Sequence, residues 1–481
     1  MCRDHPDRRL FVLVTDSGRY DDAVLEQLVD TATRELTAVG VGPGTTVVLC
    51  LPDDMGWVAV YRALAALGAV SVPMNAGSAI NEIAHVLEDS GARLALVPAR
   101  MVGALAARFP DRVFWPDGRA TRATITPGPE CAPDTATIAY TSGTTGRPKG
   151  VLQSRRAIAL GGDNLAERLG WHADDVVVTA LPLAHSYGTN VLNAALASGA
   201  TLVQLARFDE ARLLEAADRW GATVLAGVPT MYRRLLDVVA RSTRGADTAP
   251  RLSRLRCVVS AGQGAGADLA REWEARMGGA FVEGWGMTEL AGFATLAAPD
   301  LPDRHGTTGT AMPDVRLRTT AVPQDDSGIG ELWIAGPMVT AGHLGAGPVT
   351  VDGWLPTGDL GSVDAYGRVR VVGRTKEVVL SGGFSVYPAE VERVVARHPD
   401  VAEVAVAGLA DPVRGEITCA WIVPRAGTRP SLTQITEFCR PHLAAYKLPR
   451  RLVLLPELPL NGTGKVLRRE LPAPIAVGAS A

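Results

Sequence analysis

A repeated alternation of short apolar runs with helical stretches is the feature that most constrains the fold of this chain. Near the start, residues 45–52, 70–73 and 93–97 have the composition of buried strands, and the segments 57–67 and 82–87 between them that of helices. Such an alternation is typical of parallel sheets whose faces are covered by helices. We therefore predict an α/β protein with parallel sheets at its centre.

The alternation resumes beyond residue 135 and predicts a second group of strands and helices. The strand-like runs are 136–140, 175–181, 201–205, 223–228 and 256–260, and the helical stretches are 187–197, 209–219, 230–240 and 267–277. From about residue 329 the sequence pattern changes. Short apolar runs, at 331–335 and 368–372, are separated by glycine, aspartate and proline. This pattern indicates a β-rich subdomain.

A smaller α+β unit follows in the sequence. We predict helices over 388–396 and 432–443 and strands over 401–407 and 419–423. The polar cluster Gly373-Arg374-Thr375-Lys376-Glu377 separates this unit from the rest of the chain. The predicted organisation is a large N-terminal domain over 1–373, a linker over 374–377 and a small C-terminal domain over 378–481.

Composition excludes several classes of protein. Of the 481 residues, 47% are apolar and the formal net charge is only −3, which argues against a disordered chain and against a basic surface for nucleic acid. The six cysteines form no CxxC pair, so neither a disulfide framework nor a zinc site is expected. No apolar run is long enough to span a membrane, and the polar start lacks the apolar core of a signal peptide. We therefore expect a cytoplasmic protein.

Lysine is rare in this chain. It occurs only at Lys149, Lys376, Lys447 and Lys465, and all other basic residues are arginine. Lysines retained in an arginine-rich chain are candidates for positions that need a compact ammonium group. Taken singly, each of them could equally be an ordinary surface residue.

The sharpest local signal is the string Tyr140-Thr141-Ser142-Gly143-Thr144-Thr145-Gly146-Arg147-Pro148-Lys149-Gly150, which follows a predicted strand. Glycines let the backbone approach an anion closely, hydroxyls and N–H groups donate hydrogen bonds, and Lys149 adds a positive charge. The composition is that of a phosphate-binding loop, although the Walker A pattern is absent. A generic loop of this composition is otherwise more often a surface turn.

This string resembles the signature of the adenylate-forming superfamily, which comprises acyl-CoA synthetases, peptide-synthetase adenylation domains and luciferases. Six further strings resemble the family's other motifs in order and spacing. They are Leu181-Pro182-Leu183-Ala184-His185-Ser186-Tyr187-Gly188, Gly284-Trp285-Gly286-Met287-Thr288-Glu289, Gly353-Trp354-Leu355-Pro356-Thr357-Gly358-Asp359, Gly373-Arg374-Thr375-Lys376, Ser381-Gly382-Gly383-Phe384-Ser385-Val386-Tyr387-Pro388-Ala389-Glu390 and Asn461-Gly462-Thr463-Gly464-Lys465. The resemblance covers essentially the whole chain.

The resemblance implies an ATP site assembled from many segments. The implied nucleotide-binding residues are Thr141, Ser142, Gly143, Thr144, Thr145, Lys149, Gly262, Gln263, Gly284, Trp285, Gly286, Met287, Asp359, Arg374 and Lys376. Within this set, Asp359 is expected to accept hydrogen bonds from the ribose hydroxyls. Glu289 is expected to hold Mg²⁺, and Thr288 to contact the α-phosphate.

The resemblance also assigns catalytic and conformational roles. Lys465 is expected to bridge the acid and the α-phosphate during adenylation, and Lys376 lies at the hinge about which a mobile small domain rotates between two half-reactions. His185 is expected to gate the acid pocket, and we count it with Lys465, Thr288 and Glu289 as catalytic. A histidine between apolar segments is otherwise more often a core residue. Lys447 is interpreted as structural.

The acid pocket is expected to include His185, Tyr187, Gly188, Asn190, Gly284 and Gly286. Glycines beside a tyrosine suit a flat aryl or arylacrylic acid, and they also leave room for a medium acyl chain. An amino acid is less expected, because no acidic partner for its ammonium group is evident. Secondary metabolism is the expected setting for such an acid.

The leading interpretation is an AMP-forming carboxylic acid–CoA ligase that uses ATP, Mg²⁺ and CoA. The first alternative is a free-standing adenylating enzyme that passes the acyl group to a carrier-protein thiol, an amine or another small nucleophile. The second is a non-catalytic relative that binds a nucleotide or an acyl ligand as a sensor. Two departures from the family pattern are notable. Gln153-Ser154-Arg155-Arg156 lacks the usual histidine, and the short stretch Ala341–Gly347 replaces a longer segment.

Overall fold

The computed structural model describes residues 11–121, 124–125, 134–141, 148–242, 252–321, 328–381, 384–460 and 466–473. The chain divides into two compact units, one formed by 1–316 with 334–355 and the other by 317–333 with 356–481. The predicted α/β class is confirmed. The linker predicted at 374–377, and the domain boundaries on either side of it, stay predictions.

The first unit contains helices on parallel-type sheets. Its strands are β1 (Val12–Thr15), β2 (Gly18–Asp21), β3 (Thr46–Leu49), β4 (Val70–Pro73), β5 (Leu94–Val97), β6 (Val113–Pro116), β7 (Thr135–Thr141), β8 (Lys149–Ser154), β9 (Val176–Thr179), β10 (Thr201–Gln204), β11 (Val224–Gly227), β12 (Cys257–Ser260), β13 (Ala280–Met287), β14 (Gly292–Leu296) and β15 (Thr310–Ala311). Its helices are α1 (Asp22–Ala38), α2 (Met55–Ala66), α3 (Ile80–Ser90), α4 (Ala99–Arg108), α5 (Arg155–Arg168), α6 (Ser186–Ser198), α7 (Glu210–Arg219), α8 (Pro229–Ser242) and α9 (Ala267–Met277).

Two sheets organise the described part of this unit. One has nine strands in the order β15-β14-β13-β12-β11-β9-β10-β1-β2, and the other has six in the order β6-β5-β3-β4-β7-β8. Neighbouring strands from β13 to β1 are parallel, and so are those from β6 to β7. Strands β3, β4, β5, β11 and β12 are buried along their whole length, as continuous apolar runs in parallel sheets require.

The second unit is richer in antiparallel strands. Its strands are β16 (Arg316–Ala321), β17 (Gly330–Ala335), β18 (Leu355–Val363), β19 (Val369–Arg374), β20 (Val379–Ser381), β21 (Phe384–Val386), β22 (Val401–Asp411), β23 (Gly415–Pro424) and β24 (Arg451–Leu454), and its helices are α10 (Pro388–Val395) and α11 (Leu432–Cys439). Strands β16 to β19 form one sheet, and the long hairpin of β22 and β23 is the centre of another. The β-rich segment predicted from residue 329 is confirmed.

Two elements have both ends predicted from the sequence, and the others end at different residues, among them the strand predicted over 401–407, which continues to Asp411. Strand β4 and helix α9 have the predicted ends, whereas the helix predicted over 432–443 ends at Cys439. Pro441 explains the early end, because a proline has no N–H group with which to continue the helical hydrogen bonds. Among the described residues, no helix combines the length and apolarity needed to cross a bilayer.

Candidate active site

The end of β13 forms a tight corner that carries Thr288 and Glu289. The strand returns as antiparallel β14 after a 3₁₀ turn over Thr288–Leu290 and a left-handed Ala291 with φ 52°. A Cβ atom at Gly284 would meet the ring of Phe293, and one at Gly286 would clash with the carbonyl oxygen of Gly292. The two glycines therefore allow the strands to approach, which is a different use from leaving an empty space for an acid.

Glu289 is held from the segment that follows Thr340. The Nε2 atom of His343 lies 3.3 Å from Oε1 of Glu289, and the backbone N–H of Thr340 donates to the Glu289 carbonyl oxygen at 2.8 Å. The Glu289 side chain is 17% exposed. A partly exposed carboxylate with a second oxygen suits Mg²⁺, which prefers hard oxygen ligands and combines few protein carboxylates with phosphate oxygens. The residues therefore fit the expected metal.

His343 belongs to a short segment that pairs with β8. His343 forms an antiparallel bridge with Val151, the Leu152 N–H donates to the Gly342 carbonyl oxygen at 3.1 Å, and the Leu344 N–H donates to that of Gly150 at 2.7 Å. Strand β8 is the last strand of the six-stranded sheet. The shortened stretch Ala341–Gly347 thus covers a sheet edge and directs His343 to Glu289.

Gln153 joins three of the expected site segments. It lies on β8, is only 5% exposed, and its Nε2 atom is 3.1 Å from the Ser186 hydroxyl and 2.8 Å from the Thr288 carbonyl oxygen. Ser186 begins helix α6 of the expected acid pocket, and Thr288 begins the corner that carries Glu289. One side-chain amide therefore places the start of the acid-pocket helix beside the expected phosphate and metal residues.

The start of α6 is fixed by its own N-cap. His185 is the N-cap residue, and its Nδ1 atom accepts the backbone N–H of Tyr187 at 3.2 Å. This bond places the proton of a neutral imidazole on Nε2. Just before the cap, the Leu183 N–H donates to Oδ1 of Asp53 at 3.1 Å. Burial raises the pKa of Asp53 to about 7, although this hydrogen bond opposes the shift.

The expected pocket residues on α6 are well buried. The Tyr187 hydroxyl donates to the Val259 carbonyl oxygen at 2.9 Å, and its ring packs edge-on against Phe293 with a centroid separation of 5.4 Å. A Cβ atom at Gly188 would clash with the Pro182 carbonyl oxygen, so this glycine allows the chain to approach. The Nδ2 atom of Asn190 is 3.4 Å from the Ala291 carbonyl oxygen, whereas its Oδ1 atom has no hydrogen-bond partner in the described residues.

The expected adenine loop follows β12. Gly262 has a left-handed φ of 87° and Gln263 is half-buried. Glu283, paired with Ser260 across β12 and β13, accepts the Ala265 N–H on Oε2 at 2.8 Å and so anchors the end of this loop. Trp285 is 8% exposed, as a wall of the loop would be, and Met287 is half-buried at the end of β13.

The two ends of the phosphate loop are described, but its centre is not. Thr141 ends β7 and faces Lys149 at the start of antiparallel β8, so the chain leaves and returns at one edge. Lys149 is exposed. The loop residues Ser142, Gly143, Thr144 and Thr145, and the expected catalytic Lys465, lie outside the described residues.

In the second unit, Asp359 and Arg374 form a pair across β18 and β19. The Arg374 Nε atom is 2.9 Å from Oδ1 of Asp359, whose side chain is 7% exposed. Lys376 lies exposed on the 3₁₀ turn that follows β19. The structure thus brings the expected ribose carboxylate together with an expected nucleotide-binding arginine.

Sequence reasoning missed Gln153, His343 and Asp53 as members of the site. Gln153 and His343 lie in the two segments that depart from the family pattern, and this departure is the signal that the sequence offers. Gln153 contacts Ser186, which is 33 positions away in the sequence, and Thr288, which is 135 positions away. No local pattern therefore reveals these contacts.

Two family models match the chain, that of the AMP-binding enzyme over residues 1–344 and that of the AMP-binding enzyme C-terminal domain over residues 390–465. A feruloyl-CoA synthase from Amycolatopsis sp is 34% identical over 463 residues, which cover 93% of this chain and 92% of that protein.

Two solved structures are similar along almost the whole chain. ATP-bound MatB from Rhodopseudomonas palustris has a TM-score of 0.86 and 29% identity, covering 97% of this chain and 96% of that one. An o-succinylbenzoate coenzyme A synthetase from Bacillus subtilis, in complex with ATP and a magnesium ion, has a TM-score of 0.82 and 28% identity, covering 97% of both chains.

Proposed function

The chain belongs to the AMP-binding enzyme family, and we propose that it is an AMP-forming carboxylic acid–CoA ligase. Its co-substrates are ATP and CoA, and its metal ion is Mg²⁺. The observation that carries the proposal is the Gln153 contact, which sets the start of helix α6 next to the Thr288–Glu289 corner. A ligase of this class must bring an acid and an α-phosphate together. Helix α6 is expected to bind the acid, and the Thr288–Glu289 corner is expected to bind the α-phosphate and its metal ion.

The proposed reaction has two steps. A carboxylate oxygen of the acid attacks the α-phosphorus of ATP, the bond from that phosphorus to the bridging oxygen breaks, and pyrophosphate leaves. The sulfur of the CoA thiol, which loses its proton to solvent, then attacks the acyl carbon. The carbon–oxygen bond to AMP breaks and a thioester forms. Each step exchanges one leaving group for one nucleophile, so no oxidant or reductant is needed.

The chain's residues supply charge and position in this scheme. Thr288 donates to the α-phosphate, and Asp359 accepts from the ribose. Lys465 is positioned between the acid and the α-phosphate, where its ammonium group stabilises the charge that develops. Glu289 would hold Mg²⁺, which neutralises phosphate charge when it is bound. Lys376 at the 374–377 hinge, and the movement of the domain over 378–481, are part of the same proposal.

An aryl or arylacrylic acid is the proposed substrate, with a medium acyl chain as the alternative. The feruloyl-CoA synthase named above has a substrate of the arylacrylic class. The unpartnered Oδ1 of buried Asn190 supports an acid that carries a donor, because a hydroxyl or N–H group would satisfy an oxygen that is costly to leave unpaired. A cytoplasmic location stays a prediction.

ATP–pyrophosphate exchange tests the first step without requiring the acceptor. We would assay the purified chain with Mg²⁺ and ferulate, 4-coumarate, cinnamate, 2-succinylbenzoate, octanoate and a mixture of amino acids. Exchange with one acid class is expected, and ferulate or 4-coumarate should exceed cinnamate if Asn190 binds a donor. Absence of exchange with every acid would contradict the proposed adenylation.

Saturable thioester formation on adding CoA identifies the acceptor. Exchange without CoA turnover would instead indicate a carrier-protein thiol or an amine. The Lys465→Ala variant should lose exchange by about a hundredfold or more while keeping its affinity for ATP. Unchanged exchange in that variant would remove Lys465 from the mechanism.

A further inference from the structure

The side-chain amide of Gln153 has two donor hydrogens and two acceptors on separate segments. One acceptor is the Ser186 hydroxyl on α6 and the other is the Thr288 carbonyl oxygen on the corner after β13, at 3.1 and 2.8 Å from Nε2. Gln153 itself lies on β8, directly after the phosphate loop. Gln153 is the only residue of β8 that carries a side-chain amide.

We propose that Gln153 is the positioning residue that couples the acid site to the ATP site during adenylation. This inference rests on the proposed function and adds a residue and a half-reaction to it. Gln153 touches neither substrate in this scheme, and it acts through Ser186 on one side and Thr288 on the other. Its burial matters, because an amide hydrogen bond shielded from water restricts both segments more strongly than an exposed one.

The covalent chemistry makes the coupling specific to one step. Before adenylation, the acid and ATP are separate molecules, so only the protein sets the distance from the carboxylate oxygen to the α-phosphorus. Such positioning is a large part of the barrier in a reaction between two bound substrates. After adenylation, a covalent bond fixes that geometry. Loss of the Gln153 contacts should therefore slow the first step and spare the second.

The principal variant is Gln153→Met, which keeps the length of the side chain and removes both donors. We expect ATP–pyrophosphate exchange to fall about 30-fold, whereas thioester formation from chemically supplied acyl-adenylate and CoA should stay within about twofold of the unmodified chain. Gln153→Glu should be worse in exchange, because a carboxylate faces the Thr288 carbonyl oxygen and cannot donate to it.

Ser186→Ala removes only one of the two contacts and keeps the backbone of the helix start. We expect about a fivefold loss of exchange from this variant alone. In the Gln153→Met background it should cost much less than fivefold, because the contact is already gone. This variant also serves if Gln153→Met does not fold.

Asn164→Leu provides the matched control for losing a buried amide. Asn164 is 6% exposed on α5, and its Nδ2 atom lies 3.4 Å from the Pro313 carbonyl oxygen and 3.5 Å from the Met338 sulfur. We expect a lower melting temperature with both half-reactions within about twofold. A selective loss of exchange in Gln153→Met with no such loss in Asn164→Leu separates positioning from general destabilisation.

A binding measurement complements the kinetics. Calorimetry would give the affinity for the α,β-methylene analogue of ATP, which cannot transfer its adenylyl group, with and without the acid that exchanges fastest. We expect the acid to tighten analogue binding more in the unmodified chain than in Gln153→Met.

Equal slowing of both half-reactions in Gln153→Met, or an unchanged effect of the acid on analogue affinity, would overturn the positioning role. Failure of the unmodified chain to exchange with any acid would overturn the proposed function instead. The two failures are therefore distinguishable in one set of assays.

Discussion

The two ends of the nine-stranded sheet treat buried polar groups in opposite ways. At the amino ends of β9, β11 and β12, Asp175 is 1% exposed and meets Arg256 through two hydrogen bonds of 2.8 and 2.6 Å. It also accepts from the Thr223 hydroxyl at 2.6 Å and the His172 N–H at 3.0 Å. Each carboxylate oxygen has partners, so the fold depends on this pair: removing one member would leave the other buried and uncompensated.

At the opposite end, several buried polar atoms have no partner within the described residues. They are Oγ of Ser260, Oε1 of Glu283 and Oδ1 of Asn190. A buried acceptor without a partner costs about 1–3 kcal/mol. Parallel sheets place ligand sites at the carboxyl ends of their strands. A bound substrate or ordered water at this end would supply the missing hydrogen bonds and remove the cost of the unpaired atoms. The comparison indicates that the amino ends of the strands contribute to stability and that the carboxyl ends are available for binding.

The pKa values of the two buried acids diverge accordingly. Burial alone would raise the pKa of Asp175, but the hydrogen bonds from Arg256, Thr223 and the His172 backbone outweigh it and hold that pKa below 3.8. Burial raises the pKa of Glu283 above 4.5, and the N–H groups of Ala265, Gly266 and Gly306 offset the shift only in part. Ionisation is thus favoured at one end of the sheet and opposed at the other.

The largest expected effect is at the binding end. Glu289→Gln removes the expected Mg²⁺ ligand and should lower adenylation by about a thousandfold, because phosphate charge loses its stabilisation. The melting temperature should change little, since Glu289 is partly exposed and its side chain gives up a contact of 3.3 Å with His343. Pyrophosphate exchange over a range of Mg²⁺ concentrations, together with thermal unfolding, measures both. If the variant loses much of its stability but keeps its activity, Glu289 serves the fold and the assignment of the carboxyl ends of the strands to binding is wrong.

Asp175→Asn tests the opposite end. It leaves Arg256 without its charged partner and should lower the free energy of unfolding by about 3 kcal/mol. Denaturant unfolding measures this, and exchange activity per folded molecule should be unchanged. The contribution of Asp175 is present above pH 3.8 and is lost as the pH falls through its lower folded value. The variant should therefore lose this acid-dependent part of the stability curve.

Glu283→Gln is expected to act with the opposite sign and a smaller size. Because the folded pKa of Glu283 lies above 4.5, its contribution is present below pH 4.5 and is lost as the pH rises through that window. The amide has no charge to bury, so at neutral pH the variant should be as stable as the unmodified chain or more stable by up to about 1 kcal/mol. Unfolding at pH 4.5 and 7.5 measures the difference. A destabilised variant at pH 7.5 would contradict the comparison.

Ser260→Ala should have the smallest effect on stability. Its hydroxyl has no partner in the described residues, so removal relieves the cost of an unpaired group and also leaves a small cavity. Because the two effects oppose each other, the free energy of unfolding should change by less than about 0.5 kcal/mol. Any fall in ATP affinity, measured by calorimetry, would then reflect a contact with the bound nucleotide. Destabilisation by 1 kcal/mol or more would indicate an internal role like that of Asp175.

The sequence was sufficient for the elements whose pattern is local. The apolar run of β4 and the amphipathic α9 were predicted with their ends, because burial on a sheet or a helix leaves a regular period. The antiparallel β13–β14 corner was not predicted, although Gly284 and Gly286 marked a close approach of backbone. Their smallness predicts room for an acid, and the structure shows that it also allows the close contact of the two strands.

The site was predictable where one motif carries the chemistry and unpredictable where distant segments meet. Thr288, Glu289 and Asp359 follow from their motifs, but the acceptors of Gln153 depend on tertiary packing. His343 shows the same limit, because only the pairing of its segment with β8 brings it to Glu289. A long-range contact of a single side chain leaves no periodic pattern in the sequence, so the sequence alone does not predict it.

That pairing also bears on self-association. A sheet edge with free N–H and carbonyl groups is a template on which another chain can add a strand. Here the segment around His343 occupies the β8 edge. A second molecule could add to this edge only by displacing that segment, and the displacement would carry His343 away from Glu289. Aggregation through β8 and loss of the His343–Glu289 contact at the expected metal site would then be a single event, so conditions that protect activity should also keep the protein dispersed.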